Sequence, residues 1–551
     1  MIDWSGRVVP YPAELADRYR SGAWGLRTIA QELRAIAERF AERDAVVTSD
    51  ARLTYAELDE QADRVAVGLA DLGIAPSDRV LLQLSNRIET VVLWYGLLKA
   101  GAIPVCTLAA HRGHEIGEIS RRTDAVAHVV EAGTPRFDLV EFARQQREGH
   151  PTLRHVITVG GGGGDVSFDE LVASSGGGAR ERVDVIQAAI DPEDVAVFQL
   201  SGGTTGVPKV IPRAHAEYWY NARAYAEAWG WDETTRNGHL IPIVHNAGIV
   251  CGVHGPHSVG GCLLLSSPDL DLGLPFLADE GVTDVLLGHG HYAAPTHLEF
   301  ERAAATLRTV VLSGAKVPDR LFERLEELDV WSGQLFGMGE GWFATTPLDA
   351  PREARLRTVG TSLAPLDEYR VLEPGSEREV PDGEPGELAC RGPYTLPGYF
   401  DAPEHNARAF TSDGFYRTGD LVARRTIEGG TFVSVEGRIK DVINRGGEKV
   451  NAEEVELLLL RHAGISAAAV VAMPDVRLGE RACAYVVAAG EPLSLGEVQQ
   501  HLDGLGVAKF KWPERLEWVD DLPRTAVGKI DKKLLGGAVV DLLRAEGVPV
   551  S

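Results

Sequence analysis

Ser201-Gly202-Gly203-Thr204-Thr205-Gly206-Val207-Pro208-Lys209 is a loop of small residues and hydroxyls closed by a lysine, directly after the apolar run 195–200. Glycines remove Cβ atoms so that backbone N–H groups can converge on an anion; hydroxyls add donors and lysine adds charge. The chemistry implied is polyphosphate binding. The segment is not a P-loop, because Pro208 precedes the lysine and the Gly-Lys-Ser/Thr ending is missing. Phe336-Gly337-Met338-Gly339-Glu340-Gly341 sets a carboxylate in a glycine-rich turn, and Gly414-Phe415-Tyr416-Arg417-Thr418-Gly419-Asp420 ends in an acid after a tight turn. Gly437-Arg438-Ile439-Lys440-Asp441 precedes Asn444-Arg445-Gly446-Gly447-Glu448-Lys449-Val450, and Leu522-Pro523-Arg524-Thr525-Ala526-Val527-Gly528-Lys529-Ile530 ends the series. Each is weak alone; their order and separation carry the information.

The elements that must position these residues follow from periodicity. The run 195–200 predicts a strand, followed by the loop and then by a helix from Ala216 onward. Residues 26–43 and 56–72 predict amphipathic helices, the second capped by Thr54 with Glu57 three residues later. Helical patterns alternate with apolar strands such as 80–84 through residue 330, which predicts α/β layers with largely parallel sheets. The glycine clusters 160–164 and 176–178 read as ordinary loops. Residues 356–436 read as strand and turn. A small α+β domain is expected from about Lys440, with a helix at 453–460 and a strand at 467–472.

Composition bounds the rest. A chain of 551 residues exceeds one ordinary core, so two or more domains are expected. With 44% hydrophobic and 25% charged residues it reads as a soluble globular protein. A net charge of −25 argues against nucleic acid and acidic membrane surfaces as partners, and means that an ATP-like ligand needs local positive charge. No signal-peptide pattern opens the sequence and no run approaches the ~20 apolar residues of a membrane span. Five scattered cysteines without CxxC spacing fit a reduced, cytoplasmic setting and no zinc site. His289-Gly290-His291 has metal-like spacing with no third ligand in view, and His254 and His257 read as local hydrogen-bonders.

Taken as a set, these motifs resemble those of the adenylate-forming superfamily: acyl-CoA synthetases, peptide-synthetase adenylation domains and luciferases. The narrower similarity is to stand-alone aryl-acid adenylating enzymes of the 2,3-dihydroxybenzoate–AMP ligase type. It is carried by His245-Asn246, Gly392-Pro393-Tyr394-Thr395, Glu404-His405-Asn406, the 444–450 stretch and the opening region from Asp3 to Tyr19. The resemblance covers nearly the whole chain. It implies an acyl-adenylate synthetase fold: a large N-terminal domain, 1–439, of layered α/β sheets plus a β-rich subdomain, and a small mobile α+β lid, 440–551.

The activity it implies has two halves. A carboxylic acid and ATP give an acyl-adenylate and pyrophosphate; then a phosphopantetheine thiol takes the acyl group. On the resemblance Lys529 stabilises charge between carboxylate and α-phosphate. Ser201, Gly202, Gly203, Thr204, Thr205, Gly206 and Lys209 hold the phosphates, and Glu340 binds Mg²⁺. Gly314, Ala315, Gly337, Met338, Asp420 and Arg438 hold the nucleoside, with Asp420 on the ribose. Lys440 is the hinge about which the lid rotates to exchange the Lys529 face for the Lys449 face. His245 gates the acid pocket, Asn246 bonds an ortho-hydroxyl, and Ala247, Cys251, Gly314 and Lys316 line it.

Two positions depart from the dihydroxybenzoate pattern, which has tyrosine where this chain has Ala247 and serine where it has Cys251. Cysteine is a weak hydrogen-bond partner, so a substrate without a polar 3-substituent is expected, and Ala247 leaves room for a larger ring. The candidates are ortho-hydroxy or ortho-amino aromatic acids: salicylate, 3-hydroxypicolinate, 3-hydroxyanthranilate and 3-hydroxyquinaldate. The acceptor is expected to be an aryl or peptidyl carrier protein in natural-product assembly, acting in trans, since no phosphopantetheine serine motif is present. The rivals are an aryl-CoA ligase using free CoA and a non-catalytic ligand sensor on a decayed scaffold.

Overall fold

Alternating apolar strands and amphipathic helices in the first two-thirds of the chain build two largely parallel sheets. The computed structural model describes residues 4–548 except 5, 136, 175–176, 202–207, 315–316, 446–447, 506, 508 and 526–528, with backbone alone for 174, 444, 448 and 449. A seven-stranded sheet runs in the order Val166–Ser167, His155–Val159, Ala127–Glu131, Arg79–Gln83, Ile103–Cys106, Val195–Leu200, Val210–Ala214. All its pairs are parallel except the last. A nine-stranded sheet has a parallel centre from Trp331–Met338 to Asp44–Val47, closed at both ends by antiparallel strands.

The expected helices form: Ile29–Arg39 behind a Thr28–Gln31 capping box, and Tyr55–Asp71 behind the Thr54–Glu57 box. Helix Ile88–Lys99 is apolar on nearly every face and lies against Tyr55–Asp71, where a Cβ on Gly96 would sit 2.4 Å from the Val65 side chain. Its one buried cation, Lys99, reaches Asp59 at 2.5 Å and Asp63 at 2.6 Å. Charges so placed are tolerated because each is paired.

The helix expected from Ala216 forms as His215–Ala228, but one element before it was not expected: Val210–Ala214 is a strand that pairs antiparallel with Val195–Leu200. Pro212 made this strand hard to read. It is tolerated because the strand is the sheet's edge, where a missing N–H costs no ladder bond.

Residues 356–436 are strand and turn as expected, interrupted by helix Pro403–Ala409. Glu368–Leu372, Gly386–Arg391, Tyr416–Ile427 and Gly430–Arg438 form a four-stranded antiparallel sheet. A single turn, Ile439–Asp441, links it to a five-stranded sheet built from Val442–Arg445, Glu448–Asn451, Ile465–Asp475, Gly479–Ala488 and Arg515–Trp518. Helices Ala452–Leu460, Leu495–Gly504 and Lys532–Ala545 complete this α+β unit. Among the described residues no helix is long and apolar enough to cross a membrane.

Candidate active site

A cleft of about 1970 Å³ opens where the sheets meet, and its walls include Ser201, Lys209, His245, Asn246, Gly314, Gly337, Met338, Glu340, Asp420, Arg438, Lys440 and Lys529. These residues come from segments more than 300 positions apart. The fold thus gathers most of the residues singled out by motif.

At one end Ser201 and Lys209 hold each other: Ser201 N–H donates to the Lys209 carbonyl at 2.9 Å and Lys209 N–H to Ser201 Oγ at 3.0 Å. The Lys209 ammonium lies 5.0 Å from the centre of the Tyr399 ring, within cation–π range. Tyr399 donates its hydroxyl to Glu340 Oε1 at 2.6 Å and shares a hydrogen bond with Tyr416 at 2.7 Å. Burial, then the Glu340 charge, raises the Tyr399 phenol far above the usual range, so it stays a donor. Burial lowers Lys209, with Glu340 pulling the other way. Tyr399 was not singled out by sequence, although the turn Leu396-Pro397-Gly398 before it signals a fixed position.

Glu340 sits in the turn between strands Trp331–Met338 and Gly341–Thr345. Gly341 is at φ +100°, and a Cβ there would lie 1.9 Å from the Tyr394 carbonyl, so only glycine allows this turn. Leu396 N–H holds the Glu340 carbonyl at 2.8 Å. One Glu340 oxygen is committed to Tyr399, and no partner among the described residues holds the other.

Asp420 and Arg438 are cross-strand partners and form a 2.7 Å ion pair. Burial raises the Asp420 carboxyl, opposed first by Arg438 and then by Lys529. Lys440 lies in the single turn between the two C-terminal sheets. Lys529 belongs to a loop closed by Thr525 N–H on its own carbonyl at 2.7 Å and by the Arg524–Ile530 bridge. Its side chain is open to the cleft yet has enough protein around it that desolvation lowers its pKa. Arg438 adds to that lowering, while Asp420 and Glu340 oppose it.

At the other end His245 accepts from Ala247 N–H at 3.3 Å, and burial, followed by the Lys529 charge, brings its pKa down to about 4. The ring is therefore neutral near pH 7. Asn246 is buried and held on both sides. Its Oδ1 accepts from Arg213 Nη1 at 3.3 Å and from the Tyr218 hydroxyl at 3.0 Å, and its Nδ2 donates to the Met338 carbonyl at 3.3 Å.

Arg213 is fully buried and was missed by sequence. It pairs with Glu217 at 2.8 Å and also donates to the Gly339 carbonyl at 3.1 Å and the Tyr394 carbonyl at 3.3 Å. It thereby joins the hairpin edge strand, helix His215–Ala228, the Glu340 turn and the acid end. The chain then winds as a π-helix, Gly248–His254, a form common at functional sites. A Cβ on Gly248 would meet the Ile243 carbonyl at 2.2 Å.

Ala247 packs partly buried against the main core, and Cys251 is buried with its thiol hydrogen-bonded to Tyr225, so neither forms the cleft wall itself. His254 accepts from Trp94 at 2.9 Å; His257 bonds Tyr95 and the Ala45 carbonyl. His289 faces Arg524 across the cleft at 3.4 Å. Gly314 adopts φ +98°, a glycine conformation at the cleft wall. Gly202, Gly203, Thr204, Thr205, Gly206, Ala315 and Lys316, and the Lys449 side chain, lie outside the described residues.

Comparison with known proteins is consistent with this arrangement. Residues 33–400 match the model of the AMP-binding enzyme family and residues 454–529 that of the AMP-binding enzyme C-terminal domain. Triostin synthetase I of Streptomyces triostinicus is 42% identical, over 97% of this chain and 99% of its own. The salicyl-AMP ligase / salicyl-S-ArCP synthetase of Mycobacterium tuberculosis is 41% identical, over 96% and 94%. The apo structure of MbtA from Mycobacterium smegmatis superposes with a TM-score of 0.72 at 39% identity, over 97% of this chain and 99% of that one.

Proposed function

Because the chain belongs to the AMP-binding enzyme family, we propose that it is an aryl-acid–AMP ligase that activates an ortho-substituted aromatic acid with ATP and passes it to the phosphopantetheine thiol of a carrier protein. The observation that carries this reading is the reach of Lys529. This one ammonium lines the same cleft as His245 at the acid end and the Asp420–Arg438 pair. A cation there sits between a carboxylate and a nucleotide.

In the first half-reaction a carboxylate oxygen bonds to the α-phosphorus, and the bond from that phosphorus to the bridging oxygen breaks, releasing pyrophosphate. Two anions must approach, so positioned positive charge is the main requirement. Lys529 stabilises the charge gathering at the α-phosphate. Lys209, Ser201 and the loop between them hold the outgoing phosphates, while Asp420, aligned by Arg438, accepts from the ribose hydroxyls. Glu340, fixed by Tyr399 and with one oxygen uncommitted among the described residues, suits a hard divalent ion shared with phosphates. Bound there, Mg²⁺ supplies Lewis acidity that spreads the phosphate charge.

Asn246 orients the aryl ring beside the neutral His245. Cys251, its thiol turned toward Tyr225, and Ala247 pack behind the cleft wall, so they act on the acid only through the residues in front of them. In the second half-reaction the thiol sulfur attacks the acyl carbon, AMP leaves and the thiol proton passes to solvent. Lys440, in the single turn between the last two sheets, is the proposed hinge between 1–439 and 440–551. Rotation there would withdraw Lys529 and bring in the Lys449 face. Lys440→Pro is expected to leave pyrophosphate exchange near wild type and to block thioester formation.

The test of the whole reading is acid-dependent ATP–pyrophosphate exchange over a panel of aromatic and aliphatic acids. Exchange with ortho-hydroxy aromatic acids is expected; preference for an aliphatic acid overturns it. Parallel thioester assays with holo-carrier and with free CoA decide the acceptor, and faster transfer to CoA rejects the carrier assignment.

A further inference from the structure

The hydrogen bonds around Asn246 determine more than its position. A carboxamide carries an acceptor at one end and donors at the other, and which end faces a ligand is decided by the surrounding network. Two neighbours of Asn246 have no choice of role. The Arg213 guanidinium can only donate, and it meets Oδ1 at 3.3 Å; the Met338 carbonyl can only accept, and it meets Nδ2 at 3.3 Å. The Tyr218 hydroxyl, which receives a bond from Gln199 Nε2 at 3.0 Å, passes its own proton to Oδ1 at 3.0 Å. Flipping the amide would set an NH₂ against a guanidinium and a carbonyl against a carbonyl.

Arg213 cannot turn away to permit the flip. It is fully buried, pinned to Glu217 by two contacts of 2.9 and 2.8 Å, and donates to two further backbone carbonyls. With Oδ1 accepting twice, the side-chain group of Asn246 left without a partner among the described residues is the second N–H of Nδ2, on a residue that lines the cleft.

We propose that Arg213 and the Met338 carbonyl lock the Asn246 amide so that it offers the acid a donor and no acceptor, and that the enzyme thereby selects an aromatic acid with a lone-pair acceptor ortho to its carboxylate and discriminates against an ortho-amino group. The inference rests on the aryl-acid reading above and sharpens it. A hydroxyl ortho to a carboxylate donates its proton to that carboxylate and turns oxygen lone pairs outward, toward the Asn246 N–H. A ring nitrogen at that position does the same without a proton. An ortho-amino group keeps a second N–H that points at the amide N–H, and its lone pair is delocalised into the ring, so the contact is donor against donor. Arg213 is a specificity-positioning residue here, since it acts through Asn246.

The experiment is pyrophosphate exchange on the full chain with salicylate, anthranilate and benzoate, which differ only in the ortho group. Salicylate is expected to exceed anthranilate in kcat/KM by at least about tenfold, with anthranilate no better than benzoate. Asn246→Asp, which replaces the donor by an acceptor, is expected to lower the salicylate-to-anthranilate ratio by at least about tenfold. If wild-type enzyme uses anthranilate as well as salicylate, the lock is refuted. An unchanged ratio in Asn246→Asp refutes the assignment to this residue. Should no aromatic acid support exchange, the ligase reading itself falls, a result distinct from either of these.

Discussion

Arg213, buried behind the Asn246 and Gly339 wall, and Lys529, at the cleft surface, are opposite settings for a cation. Arg213 is wholly enclosed, bidentate to Glu217, and its pKa is raised because the carboxylate next to it outweighs the loss of water. Lys529 is open to the cleft and forms no ion pair among the described residues; burial and Arg438 lower its pKa while Asp420 and Glu340 hold it up. The first is neutralised and immobile, so it can only set geometry. The second stands at the cleft wall, where the role proposed for it, stabilising a reacting anion, requires a cation. A buried pair contributes order, an unpaired cation beside anions contributes catalysis, and the two are not exchangeable.

Three experiments would break or sharpen that contrast. The largest effect belongs to Lys529→Ala, expected to lower pyrophosphate exchange by about 10²–10³ with little change in Tm, the size found when one preorganised charge stabiliser is removed. Loss under tenfold would place the catalytic charge elsewhere. Arg213→Met should show the converse weighting. Glu217 would be left buried and unpaired, costing about 3–5 kcal/mol of stability in a denaturation curve, and Glu217→Gln in addition should recover part of it. An unchanged Tm would mean the pair is not holding the hairpin, the helix and the Glu340 turn together.

The smallest effect is on pH dependence. Lys529 serves when protonated, and its pKa is below 10.5, so exchange should decline as pH rises through that lowered value, by up to about tenfold per unit. Lys529→Arg keeps its charge in that range and should abolish the alkaline limb. His245, held near 4, should contribute no limb between pH 5 and 8. An alkaline limb that persists in Lys529→Arg would have to be assigned to another group.

Legibility in sequence followed locality. Thr54 and Glu57 announce a helix start because a capping box is satisfied within four residues, and the structure forms it. The turn around Glu340 was readable because its glycines are required by local backbone geometry, as Gly341 shows. The hairpin strand Val210–Ala214 was not readable, since its partner pairing and edge position, which excuse Pro212, are properties of the sheet. Arg213 and Tyr399 escaped notice for a related reason. An arginine in a strand and a tyrosine after a turn have many ordinary roles, and only the contacts with Asn246, Glu217 and Glu340 single them out.

Sequence alone determined the kinds of residue available for chemistry, the order of the motifs and the layered α/β architecture, because these depend on residue type, periodicity and short-range geometry. The tertiary structure decided which charges are paired, which lysine stands at the cleft surface, and which end of the Asn246 amide Arg213 occupies. Those outcomes depend on distances between groups remote in the chain and on how much water each keeps.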